Sequence, residues 1–182
     1  LEKGLYFVVS VHREENVDNP GNLEKILLIL NRLSELYRVP VIVSTHPRTR
    51  KRLEAVENTN MDPQIRFLKP FGFTDYVHLQ MNALCTVSDS GTISEESAIL
   101  NFPAISLRNS MERPEAQDTG TIILTGFQPE IVLQSINLVI RDHNNHRTHQ
   151  TPFEYTIPDT SFRVLKLLMG LNSLSNRWHG IN

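Results

Sequence analysis

Short apolar segments alternate with longer amphipathic segments along most of the chain. The apolar segments are continuous and rich in β-branched residues, which is typical of strands buried on both faces of a sheet. They read LYFVVSV, VPVIVST, QIRFL, ALCTVS, FPAISL and GTIILTG. The sequence therefore predicts a series of buried strands.

The amphipathic segments predict helices between these strands. NLEKILLILNRLSELY carries leucine and isoleucine at helical spacing, and Asn22 is its predicted N-cap. Further helices are predicted over residues 48–57 and 74–82, in GTISEESAIL, in PEIVLQSINLVIRD, and in DTSFRVLKLLMGLNSL after a cap at Asp159 or Thr160. HREENVDNPGN and residues 143–153 are predicted loops.

Strands that alternate with helices predict an α/β fold, a Rossmann-like parallel sheet flanked by helices. No linker or repeat interrupts the pattern, so residues 1–182 are predicted to form one domain. The sequence enters its first strand within a few residues and has no initiator methionine. From this we expect a fragment of a longer protein.

Charge and cysteine content argue against several classes of partner. A formal net charge of -2 and a pI of about 6.4 give no electrostatic reason to expect nucleic acid or an anionic membrane. The single cysteine, Cys85, lies in an apolar run and is a predicted inert core residue. We expect a reducing, cytoplasmic compartment. His143, His146 and His149 have no cysteine or carboxylate at ligand spacing, so no metal site is predicted.

Polar clusters follow three of the predicted strands, and ligands of parallel α/β sheets bind at such strand ends. The clusters begin at His12, at Ser44 and at Ser88. Their convergence at one edge of the sheet is the main functional prediction from the pattern.

The segment SDSGTISEES leads from a strand into a helix and fits a phosphate site. Ser90 and Thr92 can donate hydroxyl hydrogen bonds, and Gly91 lets the backbone approach an anion at the helix N-terminus. Glu95 or Glu96 can accept from a ribose diol. The alternative is a helix capped by Ser88 or Ser90, with both glutamates complementing the helix dipole.

Four residues elsewhere complete the set of candidates, each with a plainer alternative. Arg13, beside His12, can supply a cation for a diphosphate or lie in a solvated loop. His46 can join the site or belong to a rigid proline turn. Arg113, in ERPEA after Glu112, can clamp a phosphate or order its loop. Tyr76 can stack on a base or belong to the core.

In order along the chain, SVHREENV, VIVSTHPRT, FLKPFGFTDY, SDSGTISEESAILNFPAISLR and ERPEA resemble the C-terminal half of the non-hydrolysing UDP-N-acetylglucosamine 2-epimerase family. The match covers residues 5–141 and extends more loosely over the last helix. The resemblance implies two Rossmann-like domains arranged as in GT-B glycosyltransferases, with a UDP-sugar in the cleft between them.

The resemblance also implies roles for individual residues. His12 would lie near the diphosphate with a catalytic role, and Ser90 and Gly91 would bind phosphate. The ribose hydroxyls would be held by Glu96, which leaves Glu95 to the helix dipole. Arg113 would face the nucleotide and Tyr76 the uracil.

The implied reaction inverts C2 of the sugar without a metal or redox cofactor. UDP leaves by elimination across C1–C2, which gives a 2-acetamidoglycal, and then re-adds after C2 is protonated from the other face. The carboxylates that transfer this proton belong to the N-terminal domain, which this sequence lacks. We therefore expect residues 1–182 to bind UDP weakly without epimerising it, and the full-length protein to be a homodimer.

Some residues depart from the commoner family pattern. Thr92 and Ser94 replace a glycine and a glutamine, Phe71 stands where many members have glutamine, and residues 46–49 read HPRT. These differences resemble the subgroup that forms UDP-N-acetyl-L-fucosamine from its L-talose epimer for capsule and O-antigen. The alternatives are an epimerase of UDP-N-acetylglucosamine and UDP-N-acetylmannosamine, the donor domain of a GT-B glycosyltransferase, and a non-catalytic nucleotide-binding module.

Overall fold

The computed structural model describes residues 1–54, 60–147, 149–172 and 174–178. It divides into two compact units, residues 1–152 and residues 153–182. The first unit contains a parallel sheet of six strands within the described residues. They are β1 (Phe7–Ser10), β2 (Val41–Ser44), β3 (Ile65–Leu68), β4 (Cys85–Ser88), β5 (Ala104–Ser106) and β6 (Ile123–Leu124).

Helices follow the strands where the pattern predicted them, and the short helices Pro114–Asp118 and Ser175–Trp178 are additional to the prediction. In the first unit they are α1 (Glu14–Val17), α2 (Pro20–Tyr37), α3 (Pro47–Glu54), α4 (Phe73–Asn82), α5 (Ile93–Leu100), α6 (Pro114–Asp118) and α7 (Pro129–Asn144). The second unit contains a 3₁₀ turn (Phe153–Thr156), α8 (Thr160–Leu171) and α9 (Ser175–Trp178). No helix among the described residues has the length and apolar character needed to cross a bilayer.

The strand order is β3-β2-β1-β4-β5-β6, and every neighbouring pair is parallel. This is the order of the Rossmann fold, in which the chain winds outward in both directions from the centre. The order reverses between β1 and β4, where Ser10 lies opposite Ser88. The prediction of a Rossmann-like parallel sheet is confirmed, and this reversal marks the expected ligand crevice.

Alternate residues of the strands point to opposite faces of the sheet and build two apolar layers. Phe7 and Val9 join the larger cluster with Leu30 of α2 and Ile136 of α7. Val8 lies on the other face, in a smaller cluster packed by α4. A fully buried side chain of this size stabilises the fold by about 1.5–3 kcal/mol relative to exposure. The packed sheet thus gives the loops at its carboxyl edge a rigid base.

Several helix ends differ from the sequence prediction. Asn22 is not the N-cap of α2, because Asn19 accepts from the N–H groups of Gly21 and Asn22 and Pro20 opens the helix. Thr92 occupies the N-cap position of α5 without a side-chain cap of its own, while its N–H donates to Oγ of Ser90 at 3.4 Å. Ser90 thus makes a cap-type contact just before the helix, two residues earlier than the N-cap position.

Two predicted loops also contain helix. The segment HREENVDNPGN holds the short helix α1, and α7 continues through Asn144 into the expected loop. The predicted helix over 48–57 is observed as α3 from Pro47, and its predicted end at 55–57 lies outside the described residues. Asp159 is the N-cap residue of α8, without a side-chain hydrogen bond.

The predicted core position of Cys85 is confirmed. The thiol is fully buried in β4, and burial raises its pKa. Its side chain therefore packs as a small apolar group within the sheet, at the amino end of β4 and away from the carboxyl edge.

Candidate functional site

The loops after β1 and β4 meet where the strand order reverses. Ser10 and Ser88 are paired in register, and the N–H of Asp89 donates to the carbonyl of Ser10 at 3.1 Å. The residues that follow the two strands are therefore held side by side. This contact joins the predicted His12 cluster to the predicted phosphate segment.

Asp89 is the organising carboxylate of this junction, and it is fully buried. Its oxygens accept from the main-chain N–H of His12 at 3.0 and 3.2 Å and from that of Arg13 at 2.9 Å. The side-chain amide of Asn16, which is also buried, donates to it at 2.8 Å. Charged acceptors form the stronger class of hydrogen bond, so this cluster fixes the loop after β1.

The imidazole of His12 lies over the same carboxylate. Its Nδ1 is 3.3 Å from Oδ1 of Asp89, and 42% of the side chain is exposed. A carboxylate at one ring nitrogen sets the orientation of the imidazole and leaves the other nitrogen to a ligand. The His46 ring, from the loop after β2, lies with its centroid 6.2 Å from that of His12.

A tight turn links β4 to α5. The N–H of Ser90 donates to Oγ of Ser88 at 3.1 Å, and the hydroxyls of Ser90 and Thr92 are 3.0 Å apart. The helix begins immediately afterwards, so its unpaired N–H groups and the positive end of its dipole face this turn. A Cβ atom on Gly91 would overlap the guanidinium of Arg113, so only glycine permits this close approach.

Arginines at this edge are paired with carboxylates. Arg13 contacts both oxygens of Glu112 at 3.3 Å, and buried Arg108 donates to Oε1 of Glu112 at 2.7 Å. The hydrogen bond from Arg108, followed by that from Arg13, lowers the pKa of Glu112 to about 2. Arg113 forms an ion pair with Glu95 in the first turn of α5. The arginines thus provide positive charge that could attract an anion, but glutamate carboxylates neutralise it in this structure.

Glu96 lies one position further along α5 and has a different partner. Its Oε2 accepts from Nε2 of Gln80 in α4 at 2.8 Å. The ring of Tyr76, one turn before Gln80, packs against the smaller apolar cluster, with its hydroxyl beside Ser10 and Ser88. Burial raises the pKa of Tyr76 to about 12, so it stays protonated over the physiological range.

The structure brings most of the predicted residues to one edge of the sheet. They follow β1 and β2, lie in the turn between β4 and α5 and in α5 itself, and precede α6: His12, Arg13, His46, Ser90, Gly91, Thr92, Glu96 and Arg113. The ring of Tyr76 packs against the core, as the plainer alternative expected. Its contact with a base stays a prediction.

Sequence reasoning missed several residues that hold these groups in place. Asp89 belongs to the predicted polar cluster that begins at Ser88, but no role was assigned to it. Glu95, assigned to the helix dipole, also pairs with Arg113. Glu112 was visible in ERPEA, although its link to Arg108 was not. Gln80 gave no signal, because a glutamine inside a helix is ordinarily exposed.

Comparison with known proteins identifies the family. The family model described as UDP-N-acetylglucosamine 2-epimerase matches residues 1–169. The UDP-N-acetylglucosamine 2-epimerase of Methanocaldococcus jannaschii is 34% identical over 151 residues, which cover 81% of this chain and 40% of that protein. The chain belongs to the UDP-N-acetylglucosamine 2-epimerase family, which confirms the resemblance at that level.

Solved structures agree with this assignment. The UDP-N-acetylglucosamine 2-epimerase of Rickettsia bellii is 43% identical with a TM-score of 0.83, over 97% of this chain and 47% of that one. The M. jannaschii enzyme in complex with UDP-GlcNAc and UDP is 32% identical with a TM-score of 0.79, over 90% of this chain and 45% of that one. The fold matches these GT-B-type epimerases, and the chain spans less than half the length of either.

Proposed function

We propose that this member of the UDP-N-acetylglucosamine 2-epimerase family forms the UDP-sugar-binding half of a nucleotide-sugar C2 epimerase. The observation that carries the proposal is the junction at the β1/β4 strand reversal. There, an imidazole held by Asp89 lies beside the Ser90–Gly91 turn, at the start of a helix and among arginines. The M. jannaschii relative has been solved with UDP-GlcNAc and UDP, which supports a nucleotide sugar as the ligand class.

In this proposal the diphosphate lies against the turn between β4 and α5. The hydroxyls of Ser90 and Thr92 and the helix N–H groups donate to its oxygens. Arg13 and Arg113 provide positive charge, each exchanging part of its present carboxylate contact for phosphate. Glu96 accepts from the ribose hydroxyls, and Tyr76 with Phe71 borders the uracil.

His12 acts on the leaving diphosphate. In the elimination, the C2 proton is removed and the bond from C1 to the UDP oxygen breaks, which gives a 2-acetamidoglycal and UDP. In the re-addition, C2 is protonated from the opposite face and the UDP oxygen forms the C1 bond again. Asp89 fixes the orientation of the His12 imidazole through Nδ1, which leaves the other ring nitrogen available to the departing diphosphate.

The carboxylates that move the C2 proton are proposed to lie in a second domain. The chain corresponds to 40% of the M. jannaschii relative and 47% of the R. bellii chain. Residues 1–182 are then a nucleotide-binding half, and the sugar would lie between it and the missing half.

The proposed substrate is UDP-2-acetamido-2,6-dideoxy-L-talose, with UDP-N-acetyl-L-fucosamine as the product. Support comes from the departures at Phe71, Thr92 and Ser94 and from the HPRT loop that begins at His46. The second candidate, interconversion of UDP-N-acetylglucosamine and UDP-N-acetylmannosamine, is favoured by the names of several relatives.

Two measurements test the proposal. Calorimetry on residues 1–182 should detect binding of UDP but not of uridine, because the contacts with the diphosphate supply most of the affinity. NMR of the complete enzyme with each UDP-sugar and no acceptor should show inversion at C2, faster for the L-talose sugar. Turnover only with an added acceptor would instead indicate a glycosyltransferase, and normal turnover by His12→Ala would remove His12 from catalysis.

A further inference from the structure

We propose that Gln80 is a positioning residue that orients the Glu96 carboxylate toward the ribose of the bound nucleotide. The inference rests on the proposed function, since it needs a nucleotide at this edge of the sheet. It assigns a role to a buried residue of α4 outside the set predicted from the sequence.

The contact between the two side chains is direct. Gln80 is 1% exposed, and its Nε2 lies 2.8 Å from Oε2 of Glu96. The orientation of the amide follows from chemistry, because an ionised carboxylate only accepts and must face the NH₂ group. Glu96 is partly exposed, and no described residue donates to its Oε1.

The carbonyl oxygen of the Gln80 amide makes no hydrogen bond that would stabilise the fold among the described residues. Oε1 of Gln80 is buried without a hydrogen-bond partner among the described residues. A leucine would fill a similar volume without burying an unpaired oxygen, so packing alone does not account for glutamine here. Among the described residues, the one hydrogen bond that this side-chain amide makes is with Glu96.

Holding a glutamate at this point has a defined consequence. The last torsion of a glutamate side chain has a broad, roughly two-fold distribution, so helix geometry alone leaves the carboxylate plane free to rotate. A donor fixed in the core removes that freedom and keeps Oε1 directed away from α4. A diol can then donate to a carboxylate that is already oriented, which lowers the ordering cost of binding.

The test separates ribose recognition from general stability. Calorimetry on residues 1–182 compares UDP with its 2′-deoxy and 3′-deoxy analogues in the wild type, Gln80→Leu, Glu96→Gln and the double variant. We expect Gln80→Leu to weaken UDP binding by roughly tenfold and the binding of at least one deoxy analogue by less than about threefold. The double variant should resemble Glu96→Gln, because both residues act through the same contact, that of the Glu96 carboxylate with the ribose.

A matched variant and a second substitution control for folding. Gln134→Leu, at an exposed glutamine of α7, should leave every affinity unchanged. Gln80→Asn keeps an amide but shortens its reach, so it should lose the same discrimination between UDP and the deoxy analogues. This variant takes the place of Gln80→Leu if the leucine variant fails to fold. Melting curves of all variants identify any unfolding.

The outcomes distinguish this inference from the proposed function. Failure of the wild type to bind UDP would defeat both. A second outcome is that the wild type binds UDP and Gln80→Leu loses affinity equally for UDP and both deoxy analogues, or loses none. Either result would overturn the role of Gln80 and leave the proposed function standing.

Discussion

The two sides of the candidate site, at the carboxyl edge of the sheet, are organised by carboxylates with different partners. On the His12 side, Asp89 is fully buried and accepts from main-chain N–H groups and the Asn16 amide. On the arginine side, the Glu112 side chain is 52% exposed and meets the guanidinium groups of Arg108 and Arg13.

The difference indicates which side changes when a ligand arrives. Main-chain donors cannot leave Asp89 without rearranging the loop after β1, so this side keeps its shape. Arg13 and Arg113 reach their carboxylates through long flexible side chains, and these contacts can be replaced by phosphate oxygens. One side presents a fixed imidazole, and the other an adjustable positive charge.

Asp89→Asn should have the largest effect, because it breaks the fixed side. An amide can keep its oxygen where Oδ2 accepts from His12, Arg13 and Asn16, but those hydrogen bonds lose their charged acceptor. Its NH₂ group then replaces the carboxylate oxygen beside the His12 ring. Urea denaturation should show the free energy of unfolding lowered by about 1–3 kcal/mol. Turnover of the complete enzyme should fall roughly 100-fold or more, as expected when an imidazole that acts on the leaving diphosphate loses its orienting carboxylate.

A conservative control separates the two effects. Asp118→Asn, at an exposed position in α6, should change neither stability nor turnover. An Asp89→Asn variant with normal stability and normal turnover would show that the buried carboxylate neither holds the loop nor orients His12.

Gly91→Ala perturbs the adjustable side and should have an intermediate effect. The added Cβ overlaps the Arg113 guanidinium, which must move away from its place beside Glu95. Flexible side chains absorb this at little cost in stability, but a cation is displaced from the phosphate turn. We expect UDP affinity to fall roughly tenfold by calorimetry, about the value of one charge-assisted hydrogen bond.

Gly72→Ala is the matched control. A Cβ there meets only Asp75 at 3.7 Å, an ordinary contact distance. Equal UDP affinity for Gly91→Ala and Gly72→Ala would mean that the position of Arg113 does not matter for binding.

The fixed side was only partly predictable from the sequence. Continuous apolar runs located the strands, and the polar residues at the end of the first strand located His12. The pairing of β1 with β4 brings Asp89 under His12 from 77 residues away, and no local pattern contains that information. Both Asn19 and Asn22 can cap a helix, and Pro20 at the first position of α2 was the signal for Asn19.

The adjustable side was less predictable, because its contacts depend on side-chain direction. The sequence places Glu95 and Glu96 next to each other, yet one pairs with Arg113 and the other with Gln80. Consecutive helix residues point about 100° apart, so adjacent glutamates meet different elements. Which element each meets is decided by the packing of α4 and α6 around α5.

The smallest expected effect is a shift in protonation that measures how strongly the arginines hold Glu112. Their hydrogen bonds lower its pKa from 4.5 to about 2. A lowered pKa in the folded state means that the pairing stabilises fully above pH 4.5 and loses its contribution as pH falls toward 2. Carboxyl carbon NMR should therefore give Glu112 a midpoint far below those of unpaired surface glutamates.

The same measurement at saturating UDP tests whether Arg13 exchanges its contact with Glu112 for one with the diphosphate. If Arg13 turns from Glu112 to the diphosphate, Glu112 keeps Arg108 but loses its second partner and lies nearer negative charge. Its midpoint should then rise on binding. A Glu112 midpoint that stays constant as UDP binds would show that Arg13 keeps its carboxylate partner, and that both sides of the edge are fixed.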